Sequence, residues 1–361
     1  MEKRIRIKDI AEKAGVSTGT VDRVLHDRGS VSSKARDKVL KVLDELNYKR
    51  NIIASTLAYN RLFKIAAIIP AGEKDPFWQQ PHEGILLALE SVQHYSINVV
   101  FYHFDSNASN FKKIAQKALE DKPDAILLAP EFSKEGNEFL KTCEEQKIPY
   151  VLINTNISRE DKNLLTYIGQ DSYQSGVLAG RLLRAAVEKD QQVIIINLEK
   201  KAHNASHLIN KEAGFRQYFE DQHYGSDFIL KFDFEDFENR GKLHNFLHQQ
   251  LITHHRVCGI FVTNSRAYRV AEFLQHHNIN NIRLVGFDLI QENIEYLNQG
   301  YISFLINQNP FKQGYLGILN LFNHLILKKK VEKVQHLPLD IVIPENVEYY
   351  RKEEISLQVV V

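Results

Sequence analysis

From residue 63 onward the chain alternates between short, uninterrupted apolar runs and amphipathic segments of helix length. The runs are Ile65–Ile69, Ile97–Tyr102, Ala125–Leu128, Tyr150–Ile153, Val193–Asn197, Ile260–Thr263, Leu284–Phe287 and Ile302–Ile306. A strand that is apolar on both faces has to be covered on both faces, so such runs predict parallel strands with helices on either side. Repeated βα units of this kind predict doubly wound open sheets, and their number predicts two of them. No sequence repeat, low-complexity tract or flexible linker separates the two halves.

The first 62 residues are built differently. All 9 prolines lie at or beyond Pro70, and a proline-free head suits compact helices joined by short turns. Ile7, Ile10, Ala11 and Ala14 have helical spacing, and Gly15 ends the run. Ser17 is placed to cap a second helix, Thr18 to Leu25, with Val21, Val24 and Leu25 on one face. Ser32 or Ser33 is placed to cap a third helix running to about Asn47, with Val39, Leu43 and Leu46 inward. Ala11 supplies a small side chain where two helices cross, and Gly15 tolerates the positive φ of a tight turn. Thr18, Gly19, Thr20, Asp22 and Arg23 then fall near the exposed face of the second helix. Early residues of such a helix meet base edges in the major groove. Arg23 has the fork to read guanine O6 and N7, and Ser17, Thr20 and Ser32 have hydroxyls for phosphates.

Charge agrees with that division. Of 46 Lys and Arg against 45 Asp and Glu, residues 1–62 hold 14 against 8, so a basic head precedes an acidic remainder. Cys143 and Cys258 are far apart and lack a CxxC partner, which argues against a disulfide framework or a structural zinc site. The N-terminus carries charge at both ends of each short apolar stretch, and no run approaches the length of a membrane helix. These features predict a cytoplasmic protein with no membrane partner.

The head resembles the lac repressor/galactose repressor family. Asp9-Ile10-Ala11, Ala14-Gly15-Val16-Ser17, Thr20-Val21, Arg23-Val24-Leu25, Val31-Ser32 and Tyr48-Lys49-Arg50-Asn51 match its pattern at correct spacing from about residue 5 to 58. The resemblance implies a hinge helix at Asn51-Ile52-Ile53-Ala54-Ser55-Thr56-Leu57-Ala58. It would place Asn51, Ala54 and Leu57 against DNA, with Leu57 as a minor-groove wedge. Asp22 departs from the family, which usually has serine there, and Gly19 has no side chain where relatives often read bases. The operator is therefore expected to differ from the best-known family sites.

The core, about residues 63–350, is similar to periplasmic sugar-binding proteins. Islands at Asp75-Pro76-Phe77-Trp78, Ile168-Gly169-Gln170-Asp171 with Gly176, Ala213-Gly214-Phe215, Thr263-Asn264, Val285-Gly286-Phe287-Asp288 and Asn307-Gln308-Asn309-Pro310 with Gly314 carry the likeness. Several lie just past strand C-termini, where open α/β sheets bind ligands. By resemblance the ligand contacts are Asp75, Phe77, Trp78, Asp171, Lys211, Asn264, Asp288 and Gln308. Aromatic rings stack on a pyranose, and carboxylates and amides bind vicinal hydroxyls. Phe77 also fits a place in the core, Asp171 a helix cap, and Asp288 a turn. Lys211 stands where many relatives have arginine, and a point charge in place of a planar fork suggests a different ligand. Asp105 and Glu131 are pocket-adjacent.

The resemblance implies a helix-turn-helix domain at 1–48, a hinge at 49–63, one sensor subdomain at 64–171 with 309–336 and another at 172–308 with 337–361. It further implies a homodimer on operator DNA whose affinity is controlled by a small effector, a sugar or sugar derivative, with purines as an alternative. Glu348 to Val361 lacks a useful heptad, so a coiled-coil tetramer is not expected. A solute-binding protein or an α/β enzyme are the rival readings. No phosphate loop, nucleophile elbow, HExxH or GxGxxG motif supports an enzyme, and no cofactor is implied. His244 with His248, and His203 with His207, have metal-compatible spacing but no third ligand in pattern, so all four are expected as surface histidines.

Overall fold

The computed structural model describes residues 6–25, 29, 31–46 and 61–350, apart from 74, 106, 158–160, 186–187, 189–190 and 201. The chain divides into two units, one ending at residue 59 and the other beginning at residue 60. The expected hinge contacts Asn51, Ala54 and Leu57 lie outside the described residues.

In the first unit the three expected helices are α1 (Ile7–Ala14), α2 (Thr18–Leu25) and α3 (Ser33–Glu45). Gly15 adopts φ 63°, a left-handed conformation, which lets the Val16 amide donate back to the Ala11 carbonyl at 3.0 Å and close α1. Ser17 Oγ accepts from the Thr20 amide at 3.1 Å and Ser32 Oγ from the Ala35 amide at 3.4 Å. Caps of this type contribute about 1 kcal/mol each, a large share for so small a core. That core is Ile10, Ala11, Ala14, Val21, Val39 and Val42. Leu43 and Leu46, expected to face inward, are half-buried and pack against this core, and Val42 joins them there.

The second unit opens with β1 (Phe63–Pro70), α4 (Gln79–Ser91), β2 (Ile97–Phe104), α5 (Ala108–Glu120), β3 (Ala125–Leu128), α6 (Ser133–Glu145), β4 (Tyr150–Ile153) and β5 (Leu164–Gly169). It continues through α7 (Ser172–Arg184), β6 (Gln192–Asn197), α8 (Ser206–Asp221), β7 (Ile229–Asp233), α9 (Arg240–Thr253), β8 (Val257–Val262), α10 (Ala267–His276), β9 (Arg283–Phe287) and α11 (Gln291–Asn298). It ends with β10 (Phe304–Asn307), α12 (Pro310–Leu325), β11 (Val334–His336) and β12 (Asp340–Val342). Two six-stranded sheets result, β11-β5-β4-β3-β1-β2 and β12-β10-β9-β8-β6-β7. Every neighbouring pair is parallel except β10 with the edge strand β12. The chain passes from the first sheet to the second after β5, returns after β10, and passes over again between β11 and β12. Each sheet with its helices is called a lobe below.

Alternation along β1 shows why its apolar run has no polar face. Ala66 and Ile68 pack with Phe111 of α5 and Phe139 of α6, while Ile65, Ala67 and Ile69 pack with Ile85 of α4 and Ile318 of α12. Four strands escaped the apolar-run criterion, and their exposure explains it. β7, β11 and β12 lie at sheet edges and alternate with exposed positions, and β5 begins with two half-buried residues. Helix crossings are unusually close. A Cβ on Gly176 of α7 would lie 1.9 Å from the Lys211 carbonyl oxygen of α8, and one on Gly214 would lie 2.0 Å from that of Tyr173. Gly84 and Gly314 repeat the arrangement between α4 and α12 in the other lobe. Gly176, Gly214 and Gly314 of the sequence islands, with Gly84, are therefore packing residues that set where the neighbouring side chains enter the site.

Candidate functional site

In each sheet the strand order reverses beside the first strand of the lobe: β1 lies between β2 and β3, and β6 between β7 and β8. Ligands of open α/β sheets bind beyond the strand C-termini at such points. The loops leaving β1, β3, β4, β6, β8, β9 and β10 there line a cavity partly open to solvent. Asp75, Phe77, Trp78, Lys211, Asn264, Asp288 and Gln308, seven of the eight ligand residues expected from sequence, line it. Phe77 and Trp78 also belong to the apolar core beneath, with rings edge-on at 4.9 Å.

Asp171 is the exception. It follows β5 as a ligand residue would, but its carboxylate accepts from the Gln174 amide at 3.0 Å and caps α7, away from the cavity lining. Its neighbour Gln170 is buried instead and donates to Gln308 across the point where the chain changes lobes. Of the pocket-adjacent pair, Glu131 lines the cavity and Asp105 does not.

Sequence reasoning missed Glu199 and Arg266, which dominate the electrostatics. Arg266 donates to Asp75 Oδ2 through Nη2 at 2.7 Å and to Glu199 Oε2 through Nη1 at 2.7 Å. Burial works against its charge, but Asp75 and Glu199 outweigh burial and hold the guanidinium above its ordinary range. Glu131 sits beside this triad. Burial pushes its carboxyl up to about 8, Glu199 and Asp75 add to the shift, and Arg266 opposes it. His207 also lies in the cavity wall rather than on the surface, within 3.1 Å of Thr155 Oγ1. Burial, reinforced by Lys211 and Arg266, pulls its imidazole down to about 3, so it is neutral at physiological pH. The strand-terminus rule that found Asn264 would have nominated Glu199 and Arg266 had it been carried one or two residues further into each loop.

The far end of the cavity is a buried network. Lys211, 1% exposed, donates to the Thr263 carbonyl at 2.9 Å and to Gln308 Oε1 at 3.2 Å. Its ammonium stands 3.5 Å from the centroid of Phe287. Gln308 Nε2 donates to Asp288 Oδ2 at 2.6 Å. Burial pulls Lys211 down and pushes Asp288 up, and each partly restores the other. Asp288 holds φ 67°, a left-handed conformation that short polar residues tolerate, and this turns its carboxylate back into the cavity. Desolvated and oriented groups like these discriminate between ligands by whether each finds its partner. Among the described residues no group of three or more His, Cys, Asp or Glu is arranged to hold a metal ion, and no helix is long and apolar enough to cross a membrane.

In the first unit, the face of α2 carries Ser17, Thr18, Gly19 and Arg23 as exposed residues, with Thr20 and Asp22 half-buried beside them; Ser32 is exposed at the start of α3. Ser17 Oγ and Thr20 Oγ1 lie 2.9 Å apart.

A capped helix-turn-helix head joined in one chain to a two-lobed α/β core with a polar interlobe cleft defines a class of two-part, ligand-responsive DNA-binding proteins. Residues 65–330 match the family described as periplasmic binding protein domain, and residues 6–51 match bacterial regulatory proteins, lacI family. The chain therefore belongs to the lacI family of bacterial regulators that carry a periplasmic-binding-protein core. The HTH-type transcriptional regulator MalR of Streptococcus pneumoniae is 26% identical over 176 residues, 48% of this chain and 51% of that one, so the match spans about half the relative's length. The ribose operon repressor of Halalkalibacterium halodurans is 25% identical over 78% of this chain and 80% of its own. A solved structure from Bacteroides fragilis, described as a LacI transcriptional regulator, superposes with a TM-score of 0.72 at 28% identity, covering 80% of this chain and all (100%) of that one.

Proposed function

We propose that the chain is a sequence-specific transcription repressor that binds operator DNA as a cytoplasmic homodimer and is controlled by a small polyhydroxylated effector, a sugar or sugar derivative, held between the two lobes. The observation that carries this reading is a cavity walled by both lobes, in a chain whose head presents a capped helix with exposed Thr18, Gly19 and Arg23. An effector touching both walls stabilises one lobe arrangement over another, and an equilibrium biased from two sites is allosteric coupling. The aromatic edges of Phe77 and Trp78 with Asp75, Asn264, Asp288 and Gln308 suit a polyol with an apolar ring face. Catalysis has no part in this reading.

Selection of duplexes from a random pool, followed by titration with sugars at fixed salt, tests it. Binding to the selected duplex should fall steeply with salt and vanish when residues 1–62 are deleted, because phosphate neutralisation dominates such affinity. A sugar that raises the melting temperature should also change operator affinity. Retention of duplex binding by the truncated core, or a melting shift that survives both Phe77→Ala and Asp288→Ala, would overturn the reading.

A further inference from the structure

The cavity contains more acid than base. Among the described residues, Asp75, Glu131, Glu199 and Asp288 line it against the bases Arg266 and Lys211. The surplus is local. Lys211 and Asp288 balance one another through Gln308 at one end. At the other end Arg266 serves both Asp75 and Glu199 at 2.7 Å, and a single guanidinium has no charge left for a third carboxylate. Glu131 is that third carboxylate. Its side chain makes no hydrogen bond or ion pair among the described residues. Among the described residues, Lys200 shares with Glu131, Glu199 and His207 the lining of an adjoining space. The Lys200 ammonium is engaged by Glu238 at 3.4 Å, and His207 is held neutral.

A partly desolvated carboxylate without a partner must either bind a proton or meet a cation. From this unbalanced triad and the unpartnered Glu131, we infer that the effector is an amine-bearing polyol, an amino sugar, whose ammonium group sits against Glu131 between the lobes. The inference rests on the proposed binding of a polyol in this cleft and adds the charge of the ligand. A neutral sugar gives Glu131 only hydroxyl donors and leaves the surplus charge in place. An acidic sugar would add to it. An ammonium supplies three donors and the missing positive charge at the one position where Arg266 cannot. The raised protonation of Glu131 gives the event a signature: an ammonium arriving beside it expels its proton to the solvent.

The test uses the full chain with glucosamine, galactosamine and mannosamine, the parent hexoses and the N-acetyl derivatives, which keep the nitrogen but lose its charge. Calorimetry near pH 7 in buffers of different ionisation heat reads affinity and proton release together. At least one amine should bind about tenfold or more tightly than its parent hexose and its N-acetyl derivative, with release of a proton. Glu131→Gln should abolish both the preference and the proton release, so that the amine and its parent hexose bind alike. Equal binding of amine and parent hexose, or an amine preference that survives Glu131→Gln, overturns the inference and leaves the polyol cleft standing. If no sugar of any charge binds, the polyol reading itself fails with it.

Discussion

Arg266 of the second lobe donates through Nη2 to Asp75 of the first at 2.7 Å, and this ion pair crosses the cleft. Other bonds span the lobes nearby: the Ser206 amide to Ser133 Oγ at 3.1 Å, the Lys134 amide to Asn204 Oδ1 at 3.0 Å, and Asn204 Nδ2 to Glu135 Oε2 at 2.8 Å. Those are at least partly open to water and individually weak. Arg266, 8% exposed, is shielded and ties two acidic side chains to one cation. Removing one partner of a buried pair costs about 3–5 kcal/mol, because the other charges are left behind.

Arg266→Met is therefore expected to lower the melting temperature and to open the lobes, read as a larger radius of gyration in small-angle scattering. Asp75→Asn, which keeps the shape but halves the acid partners of the guanidinium, should open the lobes with a smaller loss of stability. If Arg266→Met scatters like the parent protein, the ion pair does not hold the lobes together.

Protonation of Glu131 sets a second expectation. Its folded-state value is raised to about 8 from an ordinary carboxyl value of 4.5, so between those limits the folded protein binds a proton that the unfolded chain does not. Stability from this group is complete below about pH 4.5 and is lost as pH rises to about 8. His207 acts in the opposite sense. With its value lowered from 6.5 to about 3, its contribution is lost as pH falls through that interval. The difference in melting temperature between the parent protein and Glu131→Gln isolates the first effect, and it should move steadily against the parent from pH 5 to pH 8. A flat difference would place Glu131 in contact with solvent.

Most of this architecture was legible in the chain because a doubly covered sheet writes its strands as continuous apolar runs, and β1, β3 and β4 show this plainly. The edge strand β7 does not, since its residues alternate with exposed positions. The site was legible for residues one or two positions past a strand, among them Asn264 and Asp288, and for the loop after β1. Asp171 satisfied the same rule but stands outside the cavity lining, because a carboxylate before a helix serves equally as a cap. Arg266 and Glu199 were hidden for a different reason. Position past a strand could nominate them as loop residues, but not their pairing, which joins places 67 apart in sequence and, through Asp75, 191 apart.

The glycine crossings yield a third prediction. A methyl group on Gly176 would lie 1.9 Å from the Lys211 carbonyl oxygen, backbone rather than a yielding side-chain tip. Gly176→Ala should force α7 from α8, costing about 1–3 kcal/mol as overpacking does. Because the displaced residue is Lys211, ligand affinity should fall together with stability. Gly225→Ala is the matched control, since an added Cβ there meets nothing within 4 Å and φ stays negative at −67°. Equal melting temperatures for the two variants would mean the helices have room to separate.

Recognition of DNA can be separated from head stability on α2 itself. Ser17→Ala removes the oxygen that accepts from the Thr20 amide at 3.1 Å and should destabilise the head by about 1 kcal/mol, weakening binding to all duplexes alike. Arg23 is exposed, and removing its fork should cost discrimination instead. Arg23→Ala is expected to reduce the preference for the selected operator by about 1–3 kcal/mol per lost guanine contact while leaving non-specific binding and its salt slope nearly unchanged. Asp22 repels phosphate but can accept from cytosine N4 or orient Arg23, so Asp22→Ser should change the selected consensus while raising affinity for non-specific duplex. Repeating the random-duplex selection with each variant reads both effects directly. An unchanged consensus for Asp22→Ser would remove that carboxylate from base recognition, and the departure from serine at this position would then act only through the charge it presents to the DNA backbone.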